Sequence, residues 1–387
     1  MYLFVVLTLS ALCLLAAACC LQDVLRERLA PTLSPGAALA TQPLISVLIP
    51  ARDEAERIGA CLIGLAGQSY RNFELLVFDD HSTDATAAIV RSYAAQLPAL
   101  AVLPRAALPA GWAGKCWACW QAAGSARGDW LLFLDADVVP RPDLLSALVA
   151  RAEARALDLL TLMPFQQLGS LAERLVMPAF FALLYAIYPL DQVSDPRSPI
   201  AFANGPCLLI RREVYFAIGG HLAVRASILE DTELGRIVKA AGYRLEAAAA
   251  PDLIAARMYA GWASLAEGLG KNAVAGYRSG GMRSGWVGAR LALAAFLPFY
   301  LLPAGALLVL ARPDAAIGAV LMLHGALLAA LALACWGWLA HRRYRIAPWW
   351  GALFPIGLAI YFWLAARALL RLRSGRGVIW KGRTFKM

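Results

Sequence analysis

Two carboxylates follow a run of five apolar residues in the middle of the chain. The run Trp130–Leu134 is typical of a strand buried on both faces, and Asp135 and Asp137 follow it with one alanine between them. In an extended chain, residues two apart point to the same side and lie about 7 Å apart, so the two negative charges repel each other. A positive group is expected beside them, unless the strand simply ends in a polar turn, where Asp is common.

Polar clusters follow three predicted strands. The clusters are ARDE at 51–54, DDHSTD at 79–84 and DAD at 135–137. Around them, short β-branched runs alternate with amphipathic stretches, an order that predicts a parallel sheet covered by helices. Ligands of such sheets bind at the carboxyl ends of the strands. We therefore expect the three clusters to converge on one binding site.

Two predicted helices begin with polar residues. Ser82 or Thr83 can cap a helix that begins near Asp84, whereas Glu230 and Asp231 stand at the start of a second helix. Acids in a first turn are favoured by the helix dipole, which is one explanation of the second pair. The other explanation makes one of the two acids a general base.

A glycine-rich stretch, GWAGKCW at 111–117, precedes another predicted helix. It departs from the Walker phosphate loop because its first glycine is too close and no Ser or Thr follows Lys115. Lys115 at a helix start could still bind a phosphate, or it could be a surface lysine. The eight cysteines have no zinc-site spacing, so reduced and mostly buried thiols are expected.

The composition is too apolar for an ordinary soluble protein. Of the 387 residues 60% are hydrophobic, the mean hydropathy is +0.60 and the formal net charge is +10. Stretches of about 20 residues without Asp, Glu, Lys or Arg are long enough to span a bilayer core. There are four of them: Met1–Leu21, Leu291–Ala311, Ala315–Ala340 and Ala347–Ala366.

Basic residues next to these stretches predict the membrane topology. Arg26 and Arg28 follow the first stretch and place the domain after it in the cytoplasm. The basic segments 341–345 and 371–377 flank the last stretch, and both favour the same side. That stretch therefore either spans against the rule or, with its two prolines, is broken, re-entrant or surface-lying. The positive charge suits anionic lipid and phosphate ligands better than nucleic acid.

One strongly apolar segment lies inside the otherwise soluble region. It runs from Leu168 to Pro189 and contains Phe180, Phe181 and Tyr185. An ordinary core helix is one interpretation. Its length, aromatic content and flanking prolines also suit an interfacial helix that lines the entrance for a lipid acceptor, and in that case the three aromatic rings should not be sealed in a core.

Four motifs together resemble a known family. In order they are ISVLIPARDE, VFDDHSTDAT, FLDADVV and ILEDTELGRIVKAAGYR, and over 44–246 the chain resembles the family 2 glycosyltransferases with a GT-A fold. LPAGWAGKCWA, NGPCLLIRR, EGLGKN at 267–272 and WKGR at 380–383 are similar to a membrane-anchored branch found near bacterial carotenoid and hopanoid genes. The resemblance implies an α/β, Rossmann-like nucleotide-diphospho-sugar transferase domain plus transmembrane helices. We expect an anchor at 1–25, the catalytic domain at 43–255, an interfacial helical segment at 256–290 and a membrane region at 291–387.

The resemblance also implies roles for individual residues. Asp231, paired with Glu230, would be the catalytic base that takes the proton from the acceptor. Asp137 and Asp135 would bind Mg²⁺ or Mn²⁺ at the diphosphate. The donor would contact the following residues: Pro50, Arg52, Glu54, Asp79, Asp80, Lys115, Asp135 and Lys271.

The implied reaction is inverting transfer of one sugar from a nucleotide-diphospho-sugar, a UDP-hexose in the first instance, to a lipid such as a carotenoid or apocarotenoid. The QxxRW motif of polymer-forming relatives is missing, and Lys271 could replace its arginine. We expect a multi-pass protein of the bacterial inner membrane with a cytoplasmic catalytic domain and no nucleic-acid partner. The alternatives are a hopanoid or glycerolipid acceptor, a sugar nucleotidyltransferase, and a non-catalytic membrane scaffold.

Overall fold

The computed structural model describes residues 2–36, 42–104, 106–311, 316–375, 377–380 and 383–385. These residues form two compact units. The sheet unit comprises Ala30–Gln167 and Tyr188–Met258, and the helical unit comprises Met1–Leu29, Leu168–Ile187 and Tyr259–Met387. The predicted motif residues 381 and 382 and the first residue of the predicted anchor lie outside the described residues.

The sheet unit is built on eight strands in the order β3-β2-β1-β4-β7-β6-β8-β5. The apolar runs become the central strands because both of their faces are covered and need no polar side chains. The strands are β1 (Ile45–Ala51), β2 (Phe73–Asp79), β3 (Leu100–Leu103), β4 (Trp130–Leu134), β5 (Val138–Pro140), β6 (Leu159–Gln166), β7 (Cys207–Arg211) and β8 (Leu245–Ala256).

The sheet is mixed, and its four N-terminal strands run in the predicted direction. Strands β1 to β4 are mutually parallel, as the alternating pattern indicated, but β7 runs antiparallel to both β4 and β6, and β5 runs antiparallel to β8. The parallel arrangement predicted from the sequence is therefore confirmed for the four strands from which it was inferred, and the whole sheet is mixed. The chain leaves β6 and returns to β7 at the same edge of the sheet, and a connection of that kind makes neighbouring strands antiparallel. The α/β class itself is confirmed.

Helices cover this sheet. Each of the longer ones buries an apolar stripe; α2, for example, buries Ile58, Leu62 and Leu65 against the core. The helices of the sheet unit are α2 (Ile58–Ala66), α3 (Thr86–Ser92), α4 (Gly114–Ser125), α5 (Leu144–Ala154), α7 (Leu190–Ser194), α8 (Arg212–Ala217), α9 (Gly220–Ala223) and α10 (Glu230–Ala240).

The helical unit contains long apolar helices. Five helices among the described residues are long and apolar enough to cross a membrane. Four of them overlap the predicted apolar stretches, and the other, Leu171–Ser194, lies in the region predicted to be the catalytic domain. The elements are α1 (Tyr2–Leu29), α6 (Leu171–Ile187), α11 (Trp262–Ala311), α12 (Ala316–Tyr344), a 3-10 helix (Pro348–Leu353), α13 (Phe354–Arg373) and a hairpin of β9 (Val378–Trp380) and β10 (Arg383–Phe385).

Helix α6 packs inside the helical unit. Phe180 lies against Phe181 and Tyr361, with ring centroids 5.1 and 5.9 Å away, and Phe181 also contacts Tyr185 and Tyr344. Both phenylalanines are buried, whereas Tyr185 is half-buried. The expectation that these phenylalanines line an acceptor entrance is therefore wrong, because neighbouring helices cover their rings.

Candidate active site

Three polar loops meet at one edge of the sheet. Strands β1 and β2 are paired in parallel so that Ala51 lies opposite Asp79, and β1 is also parallel to β4. The loops that follow these three strands therefore leave the same edge. Strand β7 begins there as well, because Cys207 pairs with Leu134.

The loops after β1 and β2 are locked together by hydrogen bonds. The Asp53 N–H donates to Ser82 Oγ at 3.0 Å, and the Thr83 N–H donates to Asp53 Oδ1 at 2.8 Å. The Glu54 N–H donates to Thr86 Oγ1 at 2.8 Å. Asp53 has a positive φ of 51°, an uncommon conformation that these contacts hold in place. The two loops therefore form one rigid wall of the site.

The start of α3 differs from the prediction. The helix begins at Thr86, and neither Ser82 nor Thr83 caps it. Instead, Asp84 Oδ1 accepts hydrogen bonds from the Thr86 N–H (2.9 Å) and from Thr86 Oγ1 (2.5 Å). These bonds lower the pKa of Asp84. Ser82 lies three residues before the N-cap position, Ala85, and its hydroxyl accepts from the loop after β1.

Asp79 and Asp80, both buried, have different surroundings. Asp79 Oδ1 accepts from the Ser82 N–H at 2.9 Å and so shapes its own loop. Asp80 Oδ2 lies 3.5 Å from Arg52 Nη1, and its other oxygen lies 3.4 Å from His81 Nδ1. Arg52 and Asp80, which were predicted to bind the nucleotide, therefore lie together.

The DAD segment is a tight turn. The Val138 N–H donates to the Asp135 carbonyl at 3.2 Å, and β5 begins at Val138. The expectation that Asp135 and Asp137 project from an extended chain is therefore wrong. The turn is also held from the other side, because the Asp135 N–H donates to the Pro206 carbonyl at 3.2 Å.

The positive group expected beside these carboxylates is Lys115. Its Nζ lies 2.8 Å from Asp135 Oδ1 and 2.9 Å from Glu230 Oε1, so one ammonium joins the DAD turn to the start of α10. Burial acts to lower the pKa of Lys115, but Asp135, Glu230 and Asp231 raise it well above its ordinary value. Lys115 is therefore charged, and its ammonium is held between two carboxylates although 39% of its side chain is exposed.

Asp231 is oriented by two backbone donors. The Gly205 N–H donates to Asp231 Oδ2 at 2.6 Å, and the Thr232 N–H donates to Oδ1 at 2.7 Å. Burial and the charge of Glu230 raise the pKa of Asp231 to about 6, whereas Lys115 and the two backbone donors oppose the rise. A carboxylate with such a pKa can take up a proton near neutral pH.

Gly205, which was named above only within the NGPCLLIRR motif, contacts the candidate base. A Cβ at this position would lie 3.0 Å from both Asp231 Oδ2 and Lys115 Nζ. The adjacent Asn204 is held by Thr161, whose Oγ1 accepts from the Asn204 N–H at 2.9 Å. The Asn-Gly-Pro sequence could have predicted the turn, but it does not indicate which side chains the turn contacts.

The pKa of Asp137 is raised by its surroundings. Burial, followed by the charges of Asp135 and Glu54, raises it to about 7, whereas Arg57 and Lys115 oppose the rise. Carboxylate oxygens are the ligands that Mg²⁺ and Mn²⁺ prefer, so the donor set fits such an ion. Within the described residues no group of three or more His, Cys, Asp or Glu side chains could hold a metal by itself. An ion bound here would take further ligands from its substrate or from water.

Two further residues, Pro50 and Lys271, were predicted to contact the donor. Pro50 is the penultimate residue of β1, and Lys271 lies on α11 in the helical unit, so both stay predictions. All eight thiols are unpaired and buried, and burial raises the pKa of Cys116 and Cys119. The expectation of buried, reduced cysteines is consistent with this.

Comparison with known proteins identifies the class of this unit. Residues 46–219 match the model of the family described as Glycosyl transferase family 2 and form a domain of that kind, which confirms the resemblance for this region. A 4,4'-diaponeurosporenoate glycosyltransferase of Staphylococcus aureus (strain MRSA252) is 31% identical over 233 residues, and its counterpart in strain USA300 is 30% identical. The match covers 59% of this chain and 60% of the length of each of these relatives.

Some solved structures are also similar to the chain. A mannosyltransferase from Pyrobaculum calidifontis, solved with GDP-Man and Mn²⁺, is 21% identical, with coverage of 85% of this chain and 96% of that one and a TM-score of 0.48. Glucosyl-3-phosphoglycerate synthase from Mycobacterium tuberculosis is 22% identical, with coverage of 65% and 88% and a TM-score of 0.42.

Proposed function

We propose that the chain is a membrane-bound inverting glycosyltransferase. It moves one sugar from a nucleotide-diphospho-sugar, a UDP-hexose in the first instance, to the terminal carboxylate or hydroxyl of an apocarotenoid-type lipid. The observation that carries the proposal is the double contact of Lys115, which joins Asp135 of the DAD turn to Glu230 beside the candidate base. Donor-binding and acceptor-activating groups are thereby held at one point.

The donor is assigned to the edge formed by β1, β2 and β4. Arg52 and Asp80 supply a charged pair for the nucleoside. Asp135 and Asp137 would hold Mg²⁺ or Mn²⁺, which when bound would neutralise the negative charge that develops on the leaving diphosphate. Lys115 contributes a further fixed positive charge, already oriented before the donor arrives, and such preorganised charge is an efficient way to stabilise a transition state.

The acceptor is assigned to the side of Asp231. Its second oxygen is fixed by Gly205, and its raised pKa suits removal of a proton from a hydroxyl. A single attack on the anomeric carbon from the side opposite the leaving group inverts its configuration. Near Lys115 in sequence, the half-buried Trp112 lies edge-on to Trp117 at 5.1 Å, and exposed aromatic area there would suit an apolar acceptor. The relatives named for a carotenoid acid support the same choice.

The test is transfer by the purified full-length chain in lipid vesicles. UDP-glucose and 4,4'-diaponeurosporenoate are supplied with Mn²⁺, and the product is identified by mass spectrometry. Glucosylated product that disappears in Asp137→Ala, but not in the exposed carboxylate variant Glu213→Gln, supports the proposal. With the corresponding alcohol as the acceptor, the product should also disappear in Asp231→Asn. Failure to transfer to any lipid would contradict it. Transfer only to a hopanoid or a glycerolipid would replace the acceptor and keep the reaction.

The anomeric configuration of the product tests the mechanism separately. Inversion is expected by NMR of the glycoside, because Asp231 is placed as a base and no second displacement is proposed. A product that keeps the donor's configuration would rule out the single displacement.

A further inference from the structure

Composition alone does not decide which of the five apolar helices cross the membrane. All five satisfy the length and hydropathy that a crossing requires. Contacts within the helical unit distinguish them, because helices that cross together lie side by side along their full length. Helices that enter only one leaflet contact one end of that group.

Three segments lie side by side along their full length: α1, α12 and the part of α11 after Gly281. At one end Arg290 pairs with Asp23 (2.8 Å) and Arg343 pairs with Glu27 (2.6 Å). Further along, Ser10 Oγ lies 3.1 Å from His324 Nε2. The end that carries the Arg290–Asp23 and Arg343–Glu27 pairs is called the charged end below.

The far end of the group is equally well packed. A Cβ on Gly305 would lie 2.7 Å from the Gly318 carbonyl oxygen, so α11 and α12 approach closely there. The span Leu7–Leu29 alone is 23 residues, or about 35 Å of helix, enough for the hydrocarbon core. These three segments therefore have the geometry of a crossing bundle.

Helix α6 lacks that geometry. It connects β6 to β7, which are paired neighbours in one sheet with Leu160 opposite Leu209. A single crossing between them would put paired strands on opposite sides of the membrane. Both ends of α6 also contact α11 or the residue that precedes it: the Gly261 N–H donates to Glu173 Oε1 at 3.1 Å, and Arg283 Nε donates to the Ile187 carbonyl at 3.0 Å.

Helix α13 begins close to the charged end. Its first residue, Phe354, stacks on Trp336 at 4.6 Å. Trp336 lies seven residues before Arg343 on α12, which is about 10 Å along the axis. A Cβ on Gly337 would lie 2.9 Å from the Pro348 carbonyl oxygen, so the 3-10 helix turns back tightly against α12. The chain therefore enters the bilayer only shallowly before α13 starts.

Helix α13 then runs past the charged end. The Phe362 ring lies 3.8 Å from a Cβ built on Gly288, and Ala368 packs with Val274. Gly288 and Val274 both precede Arg290, so successive turns of α13 contact residues ever further from the crossing part of α11. A crossing helix would instead follow α11 or α12 to the far end.

The outward face of α13 and of the 3-10 helix before it is apolar, and its exposed residues recur every seven positions. Seven residues are close to two helical turns, so successive members share a face. Arg367 lies over the Trp363 ring at 5.6 Å, and Arg371 and Arg373 follow. The exposed residues are Trp349 (61%), Ile356 (52%), Trp363 (53%) and Leu370 (65%).

We infer that three helices cross the membrane and that α6 and α13 lie in the headgroup layer of one leaflet. The exposed stripe of α13 contacts anionic phospholipid, since Trp prefers the interface and the arginines complement lipid phosphates. The chain after Arg373 then lies on the same side as Arg26 and Arg28. Both basic segments around α13 satisfy the positive-inside rule, which a crossing α13 would violate. The inference rests on the proposed membrane location but not on the proposed reaction.

Spin-label depth in vesicles of phosphatidylethanolamine and phosphatidylglycerol tests the inference directly. Trp363 is at the middle of α13, where crossing and interfacial placements differ most. The full-length Trp363→Cys variant is labelled and compared with Leu327→Cys, an exposed position in the middle of α12. We expect the label at 363 to be relaxed by a water-soluble nickel complex and the label at 327 by oxygen. Equal depth at the two positions would overturn the inference.

Thiol accessibility in intact cells tests the side of the chain after α13. Ser374→Cys and Ala316→Cys are compared with Arg91→Cys in the sheet unit, and the parent chain, whose native thiols are buried, gives the background. We expect an impermeant maleimide to label only position 316 until the cells are permeabilised. Labelling of 374 from outside would overturn the inference. Identical labelling of 316 and 91 would instead contradict the membrane location itself.

Discussion

Lys115 neutralises acidic groups that come from two different elements. It lies at the start of α4, and its two partners stand after β4 and at the start of α10. Removing the ammonium leaves Asp135 and Glu230 facing each other without a counter-charge. The side chain therefore maintains both the electrostatics and the geometry of the site.

Lys115→Met is expected to lower kcat by about two orders of magnitude, the usual effect of removing one preorganised charged group. Lys115→Arg should recover part of the loss, since it keeps the charge but not the point geometry. The measurement is kcat for UDP-glucose with the purified chain. A Met variant that keeps more than about half of the activity would show that the lysine is only structural.

The raised pKa of Asp231 predicts a pH dependence for hydroxyl acceptors. The base acts only when ionised, so activity should fall about tenfold per pH unit below about 6. A carboxylate acceptor is already ionised there and should show no such limb. The measurement is kcat against pH with an alcohol and with an acid of the same lipid. A limb near pH 4 for the alcohol would exclude Asp231 as the base.

The same shift makes a prediction about stability. Folding raises the pKa of Asp231 from its ordinary value of 3.8 to about 6. The stability that protonated Asp231 contributes is therefore fully present below pH 3.8 and is lost as the pH rises through about 6. Ionised Asp231 therefore destabilises the fold at neutral pH. Asp231→Asn should unfold at a temperature no lower than the parent chain at pH 7 while being inactive toward a hydroxyl acceptor. A clear decrease would mean that the inactive variant is misfolded.

At the scale of elements, the turn at Gly205 aligns the base. Gly205→Ala would press a methyl group between Asp231 and Lys115, so activity should fall by at least about tenfold with little change in the unfolding temperature. Gly124→Ala is the matched control, because no atom lies within 4 Å of that Cβ and alanine favours the helix. Equal activity in the two variants would contradict a role for the turn.

Local patterns predicted some elements well and others poorly. The apolar runs of β1, β2 and β4 and the position of α4 follow from the sequence, because burial on both faces and helical periodicity are local properties. The direction of β7 does not follow, since it depends on strands distant in sequence. Nor does the start of α3, where Asp84 rather than Ser82 or Thr83 accepts from Thr86. Lys115 is similar: it could be identified as a candidate, but its partners Asp135 and Glu230 come together only in the folded sheet.

At the scale of the whole molecule, the charged end of the helix group should stabilise the helical unit. Arg343 and Glu27 are largely buried, so removing one partner leaves an uncompensated charge. Glu27→Gln is expected to cost about 3 kcal/mol of unfolding free energy, and Arg343→Met should behave similarly. Thermal unfolding in detergent measures both.

The double variant and an exposed pair serve as controls. Glu27→Gln combined with Arg343→Met should cost less than the sum of the single changes, because neither charge then remains buried alone. Arg236→Met, which breaks the exposed pair with Glu233, should cost less than about 1 kcal/mol. Additive effects of the buried pair would show that the two residues do not interact.

Helix α6 sets a problem for synthesis of the chain. The ribosome completes this apolar helix before β7 and β8 exist to close the sheet, and well before α11, α12 and α13 are made to cover its buried face. To an insertion machinery that reads hydropathy, the nascent segment is a membrane-crossing signal. Insertion at that stage would leave β7 on the wrong side of the membrane. The early part of the chain must therefore be shielded or remain uncommitted until the C-terminal helices emerge, so a version truncated before α11 should misinsert or be degraded.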